Sequence, residues 1–274
     1  MQNFTLVLQF QISGIGSASG IVYKENSLFI ISDNSSFLYQ YHIQEKELTR
    51  IKLFENSQEN IPKKEKYDFE SISLKGNKLH ILGSGSTSKR EKRISYHLET
   101  AAIKEKDITK LYRKLKKTAN ISDEDLNIEG SLFHNEKWYL FQRGNSANSQ
   151  NGIFSVDTFS KKDDSEPNFT TIQLPKIKHI ETSFTDAILV EDKIYFLATA
   201  EDTTSTYNDG EILGSIIGRI DIQSMQIDFT IKISDTQKFE GLTLFNKTED
   251  AIEFLLCEDN DTEELQSSIY KLTL

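Results

Sequence analysis

Five places along the chain put a polar residue just ahead of a small residue and a brief apolar run. They are Ser19-Gly20, Glu70-Ser71, Glu129-Gly130, Asp186-Ala187 and Glu240-Gly241. Four of the five carry a carboxylate. Carboxylates gathered within a few ångströms repel one another, and the repulsion is relieved by raised pKa values or by a cation. Hard oxygen ligands at this density suit Ca²⁺ or Mg²⁺, whereas the His and Cys ligands that zinc prefers are absent from these positions. Glu70, Glu129, Asp186 and Glu240 are therefore the candidate metal ligands.

A second set of polar residues follows a later strand of each unit. It comprises Asp33-Asn34, Gly83-Ser84-Gly85-Ser86-Thr87, Arg143-Gly144-Asn145, Ala200-Glu201-Asp202-Thr203 and Glu258-Asp259-Asn260-Asp261. Glu201 or Asp202 could serve as a general base. Arg143 and Arg90 could hold an anionic substrate group, with Ser84, Ser86 and Asn145 supplying hydroxyl and amide contacts. The long stretch Glu201–Gly214, with its turn signal Asn208-Asp209-Gly210, is the candidate lid. Asp259, Asp261, Glu263 and Glu264 read more simply as solvated loop acids.

These residues meet only if the fold repeats. Gly20, Ser71, Gly130, Ala187 and Gly241 recur at intervals of 51 to 59 residues. Each precedes a short apolar strand, a polar turn and a second strand: Leu28–Asp33, Leu79–Ser84, Trp138–Arg143, Ile194–Thr199 and Glu253–Glu258. Third strands follow at Phe37–Ile43, Arg93–Leu98, Gly152–Asp157, Ile216–Ile222 and Ser268–Leu272, and fourth strands at Leu48–Phe54, Phe169–Leu174 and Gln226–Ile233. The last unit runs out of chain after its third strand, and Thr5–Phe10 supplies the missing one. The expectation is an all-β fold over residues 1–274: a five-bladed β-propeller of four-stranded antiparallel blades, closed by the N-terminal strand. Six blades would need a degenerate unit; a pair of sandwiches or a solenoid is the other architecture such strands could build. Apolar residues at 108, 111, 112 and 115 predict a short helix over 107–117, inserted in the second blade, with a solvated basic face. In a propeller the innermost strands line the central channel, so both polar sets emerge on one face of the disc.

Bulk properties narrow the field. The net charge of −10 argues against a nucleic-acid surface. No apolar run approaches the roughly 18 residues of a membrane span. The single cysteine, Cys257, permits no internal disulfide and reads as a small buried residue. With an N-terminus that alternates like a strand instead of resembling a leader, this predicts a cytoplasmic protein. P-loop, dinucleotide, G-x-S-x-G and H-E-x-x-H patterns are missing, and the five histidines do not cluster at ligand spacing. His80, inside a strand, reads as a packed residue.

The motifs Asp68-Phe69-Glu70, Gly83–Thr87, Leu126–Gly130, Phe141–Asn145, Phe184–Ala187, Ala200–Thr203 and Phe239-Glu240-Gly241 resemble an uncharacterised bacterial propeller family, a domain of unknown function, across nearly the whole chain. More distantly, the acid-Gly-apolar approach to the inner strands is similar to phytase-like esterase and gluconolactonase propellers. In the latter, a carboxylate before an inner strand helps to bind a catalytic divalent metal. That resemblance implies comparable places for Glu70, Glu129, Asp186 and Glu240, although acids stand here where the lactonases use asparagines.

Two classes of function stay open. One is an enzyme in which a Ca²⁺-like ion polarises a small ester, lactone or phosphoester, or a metal-free glycosidase that uses two of the ring carboxylates. The other is a non-enzymatic scaffold that binds a small ligand or a protein partner at the channel mouth.

Overall fold

A computed structural model describes residues 4–146, 150–159, 165–203, 210–260 and 264–274. The first strand, β1 (Thr5–Ser13), belongs with the end of the chain. Blade one follows as β2 (Ala18–Lys24), β3 (Ser27–Ser32), β4 (Phe37–His42) and β5 (Glu47–Lys52). Blade two is β6 (Phe69–Lys75), β7 (Lys78–Gly83), β8 (Lys92–His97) and β9 (Ile103–Asp107), followed by the helix α1 (Thr109–Ala119). Blade three is β10 (Ile128–His134), β11 (Lys137–Gln142), β12 (Gly152–Val156) and β13 (Asn168–Thr171). A two-stranded ribbon, β14 (Lys176–Ile177) and β15 (Ile180–Glu181), leads to blade four: β16 (Ser183–Val190), β17 (Lys193–Asp202), β18 (Glu211–Asp221) and β19 (Gln226–Ser234). Blade five is β20 (Lys238–Lys247), β21 (Ile252–Asp259), β22 (Gln266–Thr273) and β1, in that spatial order.

Every blade is an antiparallel sheet. The inner strands β2, β6, β10, β16 and β20 touch one another in cyclic order, which closes the ring. The pairing of β1 with β22, from Thr5↔Thr273 to Ser13↔Gln266, is the closure anticipated from the missing fourth strand. It ties the two ends of the chain into one sheet and gives blade five its fourth strand.

Burial follows strand position. β3 is buried at every residue, as expected for a strand packed on both faces, while the outer β5 is largely exposed. The core divides into five apolar clusters, each lying between consecutive blades. Phe29, Ile31 and Leu38 of blade one meet Phe69, Ile81 and Ile94 of blade two. Phe141 and Ile153 of blade three meet Phe184 and Phe196 of blade four. The same pattern joins blades two and three, four and five, and five and one.

Several boundaries differ from the sequence reading. The charged segment Ile103–Asp107 is the fourth strand of blade two, so α1 is a connection between blades and not an insertion within one. The helix starts two residues later than its apolar spacing suggested, because Asp107 still belongs to the strand before it; the Asp107 carboxylate accepts the Thr109 N–H at 2.9 Å. Nor is its basic side wholly solvated: Lys116 is buried and pairs with Glu91 at 2.8 Å. Tyr112 Oη donates to the Gly83 carbonyl at 2.7 Å, and its ring lies against Gly85. A Cβ at Gly85 would fall 2.5 Å from that ring, and the residue's φ of +86° independently favours glycine. In blade four the hairpin is longer than expected. Glu201↔Ile212 and Asp202↔Glu211 are paired strand residues, so the Glu201–Gly214 stretch is a strand extension at both ends; Asn208 and Asp209 lie outside the described residues.

Candidate functional site

In every blade the pairing of the first two strands skips one residue near the start of the inner strand, a β-bulge. The skipped residues are Ser19, Glu70, Glu129, Thr185 and Glu240. Bulges re-aim a side chain out of the regular alternation and concentrate near functional sites. All five side chains are buried. The residue before each bulge packs into the core, and in four blades it is large: Phe69, Ile128, Phe184 and Phe239 are fully buried.

Blade four therefore departs from the sequence expectation by one residue. Thr185 occupies the repeated position, and Asp186 stands where the other blades have Gly20, Ser71, Gly130 and Gly241. The register is fixed by Phe184, which packs as Phe239 does; the pair Asp186-Ala187 merely imitates the acid-small pattern. Both Asp186 oxygens are taken by backbone, accepting the Ala187 and Leu242 N–H groups at 2.7 Å each. Burial pushes its carboxyl well above the usual range despite those two bonds. The hydroxyl positions act as latches between blades: Ser19 Oγ donates to the Phe69 carbonyl at 2.5 Å, and Thr185 Oγ1 to the Phe239 carbonyl at 2.6 Å.

The three acidic bulges join a buried array of ion pairs. Arg143, at the end of β11, donates from Nη2 to Glu201 at 2.5 Å and from Nη1 to Glu129 at 3.2 Å; Nη1 also lies 3.8 Å from Glu240. Its Nε bonds Ser183 Oγ at 3.2 Å. Burial works against the guanidinium's charge, but Glu129, Glu201 and Glu240 together raise its pKa. Lys238 bridges Glu240 at 2.9 Å and Asp259 at 3.1 Å. Glu129 also accepts the Asn127 amide at 2.7 Å, and Glu201 the Gly210 N–H at 2.7 Å. Burial raises the pKa of Glu129, and that of Glu240 well above normal, each opposed by its cation.

A second group centres on Asp68. Its carboxylate takes Lys66 at 2.8 Å, Arg90 Nη1 at 2.7 Å and Ser84 Oγ at 2.5 Å. Burial alone would raise its pKa, yet Lys66 and Arg90 hold it below the usual value. Lys66 also pairs with Asp33. Arg90, only 4% exposed, also donates to Ser86 Oγ and the Lys63 carbonyl. The loop expected to present Arg90, Ser84 and Ser86 to a substrate is thus folded around Asp68.

Two places in this array have acids without an intervening cation. Asp33 faces Asp259, which adds to the burial that raises the Asp33 pKa. The Asp33 Oδ1 atom is buried with no hydrogen-bond partner. Glu70 is the other place. It is 9% exposed and makes no hydrogen bond or direct ion pair with a described residue, although the Lys66 charge acts on it. Burial, then Glu129, Asp68 and Glu240, push its carboxyl well above the normal range. Carboxylate oxygens of Asp33, Asp68 and Glu70 lie within 4.8 Å of one another.

Of the residues singled out from sequence, the structure gathers Arg143, Glu129, Glu201 and Glu240 into one ion-pair array and sets Arg90, Ser84, Ser86 and Glu70 around Asp68. Asp186 is turned to backbone. Asp202 is exposed at the tip of β17, and Asn145 is half-buried with an unpartnered Oδ1. Asp259 is a buried ion-pair member and not a solvated loop acid; Asp261 and Glu263 lie outside the described residues. Cys257 is buried against Ala18, and His80 stacks edge-on to Trp138 at 4.9 Å. Sequence reasoning missed Lys66, Asp68 and Lys238 as site residues. The only signal was proximity in sequence: Lys66 and Asp68 closely precede the bulged Glu70, and Lys238 precedes the bulged Glu240.

This geometry defines a five-bladed β-propeller with a carboxylate-rich, partly neutralised cluster where its inner strands begin. The chain belongs to a family of unknown function (DUF6929), whose pattern matches residues 14–274. Comparison with curated proteins gives no match. Among solved structures, it is similar to a glutaminyl cyclase from Myxococcus xanthus, at 9% identity over 98% of this chain and 97% of that one, with a TM-score of 0.55. The major allergen Mala s 1 of Malassezia sympodialis matches at 9% identity over 96% and 95%, with a TM-score of 0.57. A luciferin-regenerating enzyme matches at 12% identity over 98% and 95%, with a TM-score of 0.52. Likeness at such identity shows the shared fold alone. No helix among the described residues is long and apolar enough to cross a membrane.

Proposed function

We propose that the channel mouth binds a divalent cation, Ca²⁺ or Mg²⁺, in the seat formed by Asp33, Asp68 and Glu70, and that the bound ion serves hydrolysis of a small ester, lactone or phosphoester. The observation that carries this reading is Glu70: a carboxylate nine-tenths buried, with no hydrogen bond or direct ion pair among the described residues, beside two others. A buried charge without a direct partner is costly, and a hard cation with oxygen ligands relieves that cost. The unpartnered Asp33 Oδ1 supplies a further ligand oxygen. Such an ion would polarise a carbonyl or phosphoryl oxygen.

The other residues take narrower roles than the sequence suggested. Glu129 and Glu240 hold the cations Arg143 and Lys238, and Asp186 caps backbone, so the seat moves toward blades one and two. Glu201 is engaged by Arg143 and Gly210, which leaves exposed Asp202 as the better general base. Asn145 offers an amide oxygen to a ligand near Arg143. A metal-free glycosidase would need a pair of carboxyls free to face a sugar; Arg143 and Lys238 already hold Glu129, Glu201, Glu240 and Asp259.

Calorimetric titration with CaCl₂ and with MgCl₂, paired with thermal unfolding, tests the seat. Wild-type protein should bind one of the ions and gain stability by mass action, about 2.7 kcal/mol at a hundredfold excess over Kd. Glu70→Gln should abolish both effects while staying folded. Absence of heat and of any thermal shift with either ion would overturn the reading. Ion binding without turnover in a screen of esters, lactones and phosphoesters would leave a cation-dependent binding scaffold in place of an enzyme.

A further inference from the structure

The Lys66 ammonium sits among the carboxylates of the proposed seat. It pairs with Asp33 and with Asp68 at 2.8 Å, and its side chain is only 10% exposed. Packing does not require a lysine there. Apolar side chains of similar volume often match or exceed the stability of buried ion pairs, since desolvation offsets the Coulombic gain. Asp68 has a second cation regardless, because Arg90 reaches it from the other side at 2.7 Å. Lys66 is also the member of the array best placed to leave. It lies on the irregular segment between β5 and β6, directly after exposed Lys64 and Glu65, and its flexible four-carbon stem ends in a compact point charge.

Charge balance points the same way. Asp33, Asp68 and Glu70 oppose two cations, Lys66 and Arg90, which leaves one negative charge. A divalent ion in place of the ammonium would leave none. We propose that Lys66 is a tethered monovalent occupant of the Asp33–Asp68–Glu70 seat: it competes with the divalent ion, and ion binding moves its ammonium out to water. The inference rests on the cation reading above and adds a built-in competitor that sets the seat's affinity and closes it when divalent ions are scarce.

The experiment compares Ca²⁺ titrations of wild type, Lys66→Met and Lys66→Arg. Two unit charges about 4 Å apart interact by a few kcal/mol at an intermediate effective dielectric, so removing the competitor should tighten Ca²⁺ binding by at least about tenfold. Lys66→Arg keeps the charge and should bind no better than wild type. In wild type, the ε-methylene NMR signal of Lys66 should move to a solvent-exposed position on saturation. If wild type binds Ca²⁺ and Lys66→Met binds with unchanged affinity, the competition is overturned and the seat stands. If both fold and neither binds, the seat itself fails, and the competition with it. If Lys66→Met unfolds without metal, refolding at a Ca²⁺ concentration that leaves wild type unaffected supports the proposal, and failure to refold overturns it.

Discussion

Replacing Arg143 by methionine should be among the most damaging single changes in this protein. Its two direct ion pairs, with Glu201 at 2.5 Å and Glu129 at 3.2 Å, involve side chains only 3–6% exposed. Removing one partner of a buried pair strands the other charge and typically costs about 3–5 kcal/mol. Glu240, at 3.8 Å, loses less because Lys238 still holds it. The Ser183 hydrogen bond adds a smaller loss, about 1 kcal/mol. Both Glu129 and Glu201 are stranded together, so the upper half of the ion-pair range applies. With a denaturant slope of roughly 2–3 kcal/mol per molar urea, the midpoint should fall by about 1.5–3 M at pH 7. The deficit should shrink toward pH 5, because burial already raises the Glu129 carboxyl, losing Arg143 raises it further, and protonation of the folded state then restores stability. The triple variant Arg143→Met, Glu129→Gln, Glu201→Gln should recover most of the loss. The reasoning is refuted if the single variant stays within about 1 kcal/mol of wild type at pH 7, or if the triple variant recovers nothing, which would assign the cost to packing.

Two further perturbations probe the frame around the site. Burial, with Arg93, Lys75 and Lys78 nearby, depresses the His80 pKa to about 3. The unfolded chain therefore takes up this proton first, and stability falls as pH drops from about 6.5 toward 3, by at most about 1.4 kcal/mol per unit. A urea-midpoint series against His80→Leu should show the wild type losing ground over that window; parallel curves would exclude the assignment. At Gly241 an added Cβ would lie 2.4 Å from Cys257 Sγ and 3.0 Å from Gly20 Cα. Gly241→Ala should cost about 1–3 kcal/mol in thermal unfolding. Adding Cys257→Ala should return only part, since the backbone contact stays; complete recovery would show that the sulfur alone sets the cost.

How far the sequence could be read follows from what each interaction depends on. Strands such as Trp138–Arg143 announce their burial as short apolar runs bounded by polar turns, and the repeat turned five such readings into a ring, seam included. Ile103–Asp107 was not legible as a strand: it is an outer strand with little apolar content, held by its ladder to Lys92–His97 and not by a core. The bulged acids at 70, 129 and 240 were legible because one position recurs. The slip at Asp186 shows where that logic ends, for two adjacent residues fit the polar pattern and only the packing of Phe184 selects Thr185. Partnership was not legible at all. Whether a carboxylate is free or spent depends on which blade delivers a cation to it: Lys66 to Asp33, Arg143 to Glu201, Lys238 to Asp259. Counting acids therefore overstates a metal site in a ring of this kind, because each blade brings cations as well as anions. What distinguishes Glu70 among the three acidic bulges is that no cation among the described residues pairs with it directly, Lys66 acting on it only through its charge, and that difference exists only once the ring is closed.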